Sequence, residues 1–215
     1  MPLANQFKCG ANMRRIEAIV FDLGNVLISV HEDRALERIC ARTGKTLGEI
    51  EHYILTTPFV TQLALGQLAP RRFFEIVAGD LGFTGDEAEF AAIWAEVFEP
   101  IDEMIQLTRK LKGRLPRYIL SNSNAIHIEY VLAHYPFMHE LEGWVFSHEV
   151  GLMKPDRRIY DWTAQRFGLT PARTVFIDDI PANVEAARAA GWQAIPHCHP
   201  AATRAELTKR GVASI

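Results

Sequence analysis

The stretch Arg15 to Leu27, R-I-E-A-I-V-F-D-L-G-N-V-L, constrains the fold more than any other part of the chain. An apolar run, Ile16 to Phe21, ends on Asp22, and Gly24 follows two residues later. A run this short, rich in β-branched and aromatic residues and closed by turn formers, reads as a buried strand. Open α/β sheets bind their ligands at the C-terminal tips of such strands, and Asp22 stands at that tip. Taken alone it is an ordinary turn residue. Three later stretches supply partners that make it a candidate for chemistry.

After Asp22 the pattern turns helical. Ala35, Leu36, Ile39 and Cys40 share one face, and Gly44 stops that helix. Thr46 with Glu49 forms a capping box for a second helix. Pro70 fits the first turn of a third helix, and Asp86 begins a fourth. Residues 33–99 are therefore read as several helices with no strand, closed by Pro100.

Beyond Pro100 strands and helices alternate. Tyr118-Ile119-Leu120 runs into Ser121-Asn122-Ser123-Asn124, and Trp144 to Ser147 precedes Gly151-Leu152-Met153-Lys154-Pro155. Thr174 to Ile177 leads to Asp178-Asp179, and Trp192 to Ile195 forms a last short strand. Such alternation predicts a doubly wound, Rossmann-like parallel sheet covered on both faces. The expected division is an α/β core from residues 13–32 and 100–215, interrupted by a helical cap over 33–99. Because the insert leaves just after Asp22, it is expected to sit over the strand tips as a lid.

Bulk properties fit this reading. A chain of 215 residues, 48% hydrophobic and 23% charged, has the composition of a soluble globular protein. A net charge of −3 argues against nucleic acid or a membrane surface as partner. Cys9, Cys40 and Cys198 are odd in number and unspaced, as in reduced cytosolic proteins. No apolar stretch reaches membrane-spanning length, and the first twelve residues lack the apolar centre of a signal peptide. They read as a disordered lead-in with Met13 as a possible start, and a cytoplasmic location is expected.

Four strand tips thus converge: Asp22, Ser121-Asn122, Lys154 and Asp178-Asp179. Three carboxylates meeting at one point repel and raise one another's pKa unless a cation lies among them. Oxygen ligands of this kind suit Mg²⁺, which keeps waters for substrate phosphate. A lysine and a hydroxyl beside it complete an anion clamp, leaving Asp22 as the candidate nucleophile.

The set Asp22-Leu23-Gly24-Asn25-Val26, Leu120-Ser121-Asn122, Lys154-Pro155 and Phe176-Ile177-Asp178-Asp179 resembles the four motifs of the haloacid dehalogenase-like (HAD) hydrolase superfamily, in order and spacing. The helical block is similar to that superfamily's C1 cap. The wording is most similar to the branch holding sugar-1-phosphate phosphatases and the phosphatase half of bifunctional epoxide hydrolases. The resemblance implies an Mg²⁺-dependent phosphatase of a small phosphorylated metabolite, with no nucleic acid or membrane partner. Asp22 is then the nucleophile that forms an aspartyl-phosphate. Ser121 and Asn122 hold the phosphoryl oxygens, and Lys154 balances their charge. Asp179 binds the metal directly, Asp178 directly or through water, and the carbonyl of Gly24 adds a further ligand.

One departure stands out. Most phosphatases of the superfamily carry a second Asp two residues after the first, as general acid and base, and here that position is Gly24. His31 is one candidate replacement, against a surface or hinge role. His127 either faces the cleft or packs on its helix. His197-Cys198-His199 reads as a solvated loop, since structural zinc needs four ligands. Where the related branch often has a polar Tyr-Glu-Arg-Gly stretch in the cap, this chain has Leu63-Ala64-Leu65-Gly66, which points to a less polar substrate or away from sugar phosphates. A 2-haloacid dehalogenase, which also lacks the second Asp but needs no metal, is an alternative. A non-catalytic metal-binding regulator is another.

Overall fold

The structure, a computed structural model, describes residues 15–212; the expected lead-in lies outside them. In chain order, β1 (Ala18–Phe21) and β2 (Ile28–Val30) are followed by five helices: α1 (Glu32–Thr43), α2 (Leu47–Thr56), α3 (Phe59–Ala64), α4 (Pro70–Leu81) and α5 (Glu87–Ala95). Strand β3 (Phe98–Pro100) leads into α6 (Asp102–Leu111), β4 (Arg117–Ser121), α7 (Ala125–His134), β5 (Gly143–Phe146) and α8 (Ser147–Val150). The chain continues as α9 (Arg157–Phe167), β6 (Thr174–Asp178), α10 (Pro181–Ala189), β7 (Gln193–Pro196) and α11 (Pro200–Lys209).

Five strands form one parallel sheet in the order β5-β4-β1-β6-β7. All four residues of β1 are buried, and their side chains alternate between two cores. Ile19 and Phe21 pack on one face with Ile119, Val175 and Ile177. Val20 packs on the other with Leu120, Val145 and Phe176. This two-residue period explains why the strand reads as a continuous apolar run rather than an alternating one. Phe21 pairs with Ile119 on one side and Ile177 on the other. The register therefore brings the ends of β1, β4 and β6 level with one another.

The helical block has a core of its own, rich in aromatic rings. Phe90 meets Phe73, Phe74, Phe83 and Trp94 at centroid distances of 5.8, 5.5, 5.4 and 5.8 Å. Removing a buried ring of this kind costs about 3–5 kcal/mol. The local signals are met: Thr46 and Glu49 form a reciprocal capping box, and the Asp86 carboxylate accepts from the Glu89 amide. Gly44 closes α1 at φ 68°, a left-handed conformation that favours glycine.

Two features differ from the sequence reading. A six-residue helix, α3, precedes the one that Pro70 opens. The block is also not strand-free: β3 begins at Phe98 and pairs antiparallel with β2, Ile28 opposite Pro100 and Val30 opposite Phe98. The two places where the chain passes between sheet and helical block thus lie side by side. Between β1 and β2 the turn is tied by the Leu23 carbonyl, which accepts from the Leu27 and Ile28 amides. Asn25, at φ 52°, accepts from the Val30 amide through its side chain.

The helical block also rests on the sheet ends. The Ser147 hydroxyl lies between the carbonyls of Ala64 and Ser123, at 2.7 and 2.9 Å. Gly66, at φ 66°, passes so close to His148 that a Cβ would lie 2.1 Å from its carbonyl oxygen. Among the described residues no helix is long and apolar enough to cross a membrane. Cys40 and Cys198 are free thiols.

Candidate active site

Asp22 follows the last residue of β1, Ser121 ends β4, and Asp178 ends β6 with Asp179 next to it. The loop after α8 brings in Lys154. Its ammonium is buried and lies 2.8 Å from Asp22 Oδ1 and 2.7 Å from Asp178 Oδ2. The sheet register alone brings the first three tips together, and the lysine ties two of the carboxylates to one another.

The two paired aspartates differ in environment. Asp178 is fully buried and saturated: besides Lys154 it accepts from the Ile180 amide at 2.8 Å and from Asn183 Nδ2 at 3.0 and 3.1 Å. Asn183, in the first turn of α10, was not singled out from the sequence; its only signal is lying five residues past Asp178. Asp179 is half-buried, and among the described residues nothing is hydrogen-bonded to its carboxylate. Asp22 accepts from the Leu23 amide at 2.7 Å through the same Oδ1 that faces Lys154. Its Oδ2 has no hydrogen-bond partner among the described residues. Burial pushes the Asp22 carboxyl up to about 6, with Lys154 pulling it down and the nearby Asp178 charge adding to the rise.

Oxygens of Asp22, Asp178 and Asp179 lie within 4.8 Å of one another, and these form the metal-competent acidic group among the described residues. Three carboxylates against one ammonium leave two negative charges uncompensated. A divalent, oxygen-preferring ion fits that deficit and that donor set.

Asn122 lines the cavity in front of Asp22, as does Ser121, and its side chain is held by the backbone of Lys154. The side-chain amide donates to the Lys154 carbonyl and accepts from the Lys154 amide, both at 2.8 Å. Both polar atoms of the side chain are therefore engaged by backbone. The Ser121 hydroxyl has no hydrogen-bond partner among the described residues, and Ser121 lines the cavity in front of Asp22.

That cavity, about 320 Å³, is lined by Asp22, Gly24, Ser121, Lys154 and Asp179 from the sheet side. Glu32, Val60, Ala64, Phe98 and His127 close it from the helical side and from α7. His31 does not line it: its Nε2 lies 3.1 Å from Ser29 Oγ and 3.4 Å from Glu99. His127 does, with its ring against Trp94 and Phe98 and its Nε2 donating to the Trp94 carbonyl at 3.0 Å. Burial lowers its pKa to about 4, which keeps it neutral. His197 bonds Thr203 and His199 caps α11, so that pair serves the fold.

An aspartate, a serine and an acidic pair stand on three adjacent tips of a parallel sheet, and a lysine reaches them from the loop after α8 rather than from a fourth tip. This is the arrangement of an α/β protein with its polar site at the carboxyl ends of the strands. Residues 16–191 match the family described as haloacid dehalogenase-like hydrolase, and the chain belongs to that family. It is 24% identical over 201 residues to a D-ribitol-5-phosphate phosphatase of Bacteroides thetaiotaomicron, covering 90% of this chain and 97% of that one. It is 27% identical over 199 residues to a sesquiterpene phosphatase of Aspergillus oryzae, covering 89% and 94%. A HAD family enzyme of Bacteroides thetaiotaomicron, solved in complex with magnesium and inorganic phosphate, superposes with a TM-score of 0.78 at 24% identity over 85% of this chain and 94% of that one.

Proposed function

We propose that this protein is an Mg²⁺-dependent phosphatase that hydrolyses a small phosphate monoester through an aspartyl-phosphate on Asp22. The observation that carries this reading is the placement of Lys154 between Asp22 and Asp178. It fixes one oxygen of the nucleophile and leaves Oδ2 open to the cavity. Relatives of nearly full length named for phosphatase activity, and a structural neighbour holding magnesium and phosphate, support it.

Asp22, Asp179 and the Gly24 carbonyl would hold the metal, with Asp178 behind them, locked by Asn183 and Ile180. When bound, Mg²⁺ would offset the carboxylate charge that otherwise repels the phosphate. Asp22 Oδ2 attacks phosphorus, the bond from phosphorus to the ester oxygen breaks, and the alkoxide leaves with its electron pair and takes a proton from water. Water then attacks the aspartyl-phosphate, releasing inorganic phosphate and restoring the carboxylate. Lys154 and the Ser121 hydroxyl hold the transferred oxygens in both steps. The helical block acts as the lid, keeping bulk water from the intermediate.

The test is hydrolysis of p-nitrophenyl phosphate with and without Mg²⁺ by wild type and Asp22→Asn. Turnover should require Mg²⁺ and fall by at least about 10⁴-fold in the variant. Near-normal turnover by a folded Asp22→Asn protein would remove Asp22 as nucleophile. The same protein with halogenated acids tests the dehalogenase alternative by halide release.

A further inference from the structure

The catalytic cavity continues into the helical block. A second cleft, about 480 Å³, opens between α1, α2 and α5 and shares Glu32, Val60, Asn124 and His127 with the first. A volume of this size suits a small-molecule group. Its walls are Leu36, Ile54, Leu55, Val60, Trp94 and Val97. Leu55, 83% exposed, lines this cleft from α2.

The polar groups of this cleft offer little to a hydroxyl-rich molecule. The Asn124 side chain accepts from the His127 amide, and His127 Nε2 is bonded to Trp94. Glu32 and Glu51 are exposed carboxylates that only accept, and the one further polar group, the Trp94 indole N–H, is buried and without a hydrogen-bond partner among the described residues. No lysine or arginine lines the cleft among the described residues, so a second anionic group would meet two like charges and no counter-charge.

We propose that this cleft binds the alcohol part of the substrate, and that the substrate is a phosphate monoester of an uncharged apolar alcohol, branched aliphatic or aromatic, rather than a sugar or polyol phosphate. The proposal rests on the phosphatase reading of the adjoining cavity. The phosphate sits among Asp22, Ser121 and Lys154, and the ester carbon chain passes Val60 and His127 into the cleft. Hydroxyls carried against the apolar walls, away from the two carboxylates at the rim, would lose water without gaining partners, a loss of about tenfold in binding for each one buried.

The test measures kcat/KM with Mg²⁺ for n-alkyl phosphates from ethyl to octyl, beside polyol and sugar phosphates. The leaving oxygen is nearly constant along the alkyl series, so chain length isolates burial. kcat/KM should rise about fourfold per methylene until the cleft is filled, and exceed that of the polyol phosphate of equal chain length by tenfold or more. Leu55→Glu and Leu36→Gln should each flatten the rise; Leu55 is exposed, so that variant folds. A flat or falling wild-type series, or a preference for the polyol ester, overturns the proposal. If no ester of this panel is hydrolysed, p-nitrophenyl phosphate with Mg²⁺ decides whether the phosphatase reading fails, and calorimetry with octyl- and methylphosphonate decides the cleft separately. Octylphosphonate binding tenfold or more tighter supports it, and equal binding overturns it.

Discussion

Asn122 and Lys154 hold each other by two reciprocal hydrogen bonds of 2.8 Å, side-chain amide to main-chain amide, across 32 positions of sequence. The loop after α8 carries no regular structure at Lys154, so its backbone would otherwise be free to shift the ammonium away from Asp22. Asn122 thus acts on the lysine as a positioning residue. Asn122→Ala should lower kcat by about 10–100-fold, as loss of supporting partners does elsewhere. Since the effect runs through Lys154, the double variant with Lys154→Ala should be no slower than Lys154→Ala alone. An additive double variant would mean that Asn122 acts on the phosphate itself.

The acidic pair should separate into a structural and a metal-binding half. Asp178 is buried with four contacts from Lys154, Ile180 and Asn183, so Asp178→Ala strands buried donors and a charge and costs about 3 kcal/mol of stability. Asp179 lacks such partners, so Asp179→Ala should leave the melting temperature nearly unchanged and weaken Mg²⁺ binding about tenfold or more. Thermal melts and Mg²⁺ titrations on both variants check this, and equal behaviour in both assays would contradict it.

Leaving-group quality should govern turnover steeply, because Gly24 has nothing to protonate the departing oxygen, on which negative charge builds in the transition state. A Cβ at Gly24 would lie 3.3 Å from Val30 Cγ2, so Gly24→Asp requires that side chain to yield by a few tenths of an ångström. The variant should flatten the dependence of kcat/KM on leaving-group pKa across a series of phosphate esters. A flat wild-type series would mean that another acid already acts, and Glu32, which lines the same cavity, is the first to replace.

His127 ties α7 to the helical block, and its pKa falls from 6.5 to about 4 through burial. The unfolded chain therefore binds more protons than the folded one across that window, so the contribution is present above pH 6.5 and is lost as pH falls towards 4. At pH 5 the loss should reach about 2 kcal/mol. Urea midpoints at pH 7 and pH 5 should differ less in His127→Phe, which keeps the ring between Trp94 and Phe98 and removes the titrating nitrogen.

The strand tips were readable because each is an apolar run stopped by a polar residue, and a parallel sheet places such stops at one edge. Asp22, Ser121 and Asp178 owe their meeting to that rule alone. Strands β2 and β3 escaped it: each has three residues, and Ser29, Glu99 and Pro100 leave no period to detect. Helix α3, six residues long behind Pro58, is too short for a helical repeat to show. The roles of Asn122 and His31 depend on partners far along the chain, Lys154 and Glu99, and nothing local in the sequence encodes which way an amide or an imidazole turns.

The pairing of β2 with β3 makes the amount of chain between them almost irrelevant to the fold. Because Val30 and Phe98 are neighbours across a ladder, whatever joins them is a loop whose ends are already closed. Closure entropy grows only with the logarithm of length, about 0.6 kcal/mol for each doubling. The same sheet can therefore carry an insert half or twice this size at little thermodynamic penalty, provided the insert buries its own core as this one does around Phe90. Selection on what the molecule binds can then act on the insert, in length as well as in lining, while the chemistry at the strand tips stays where it is.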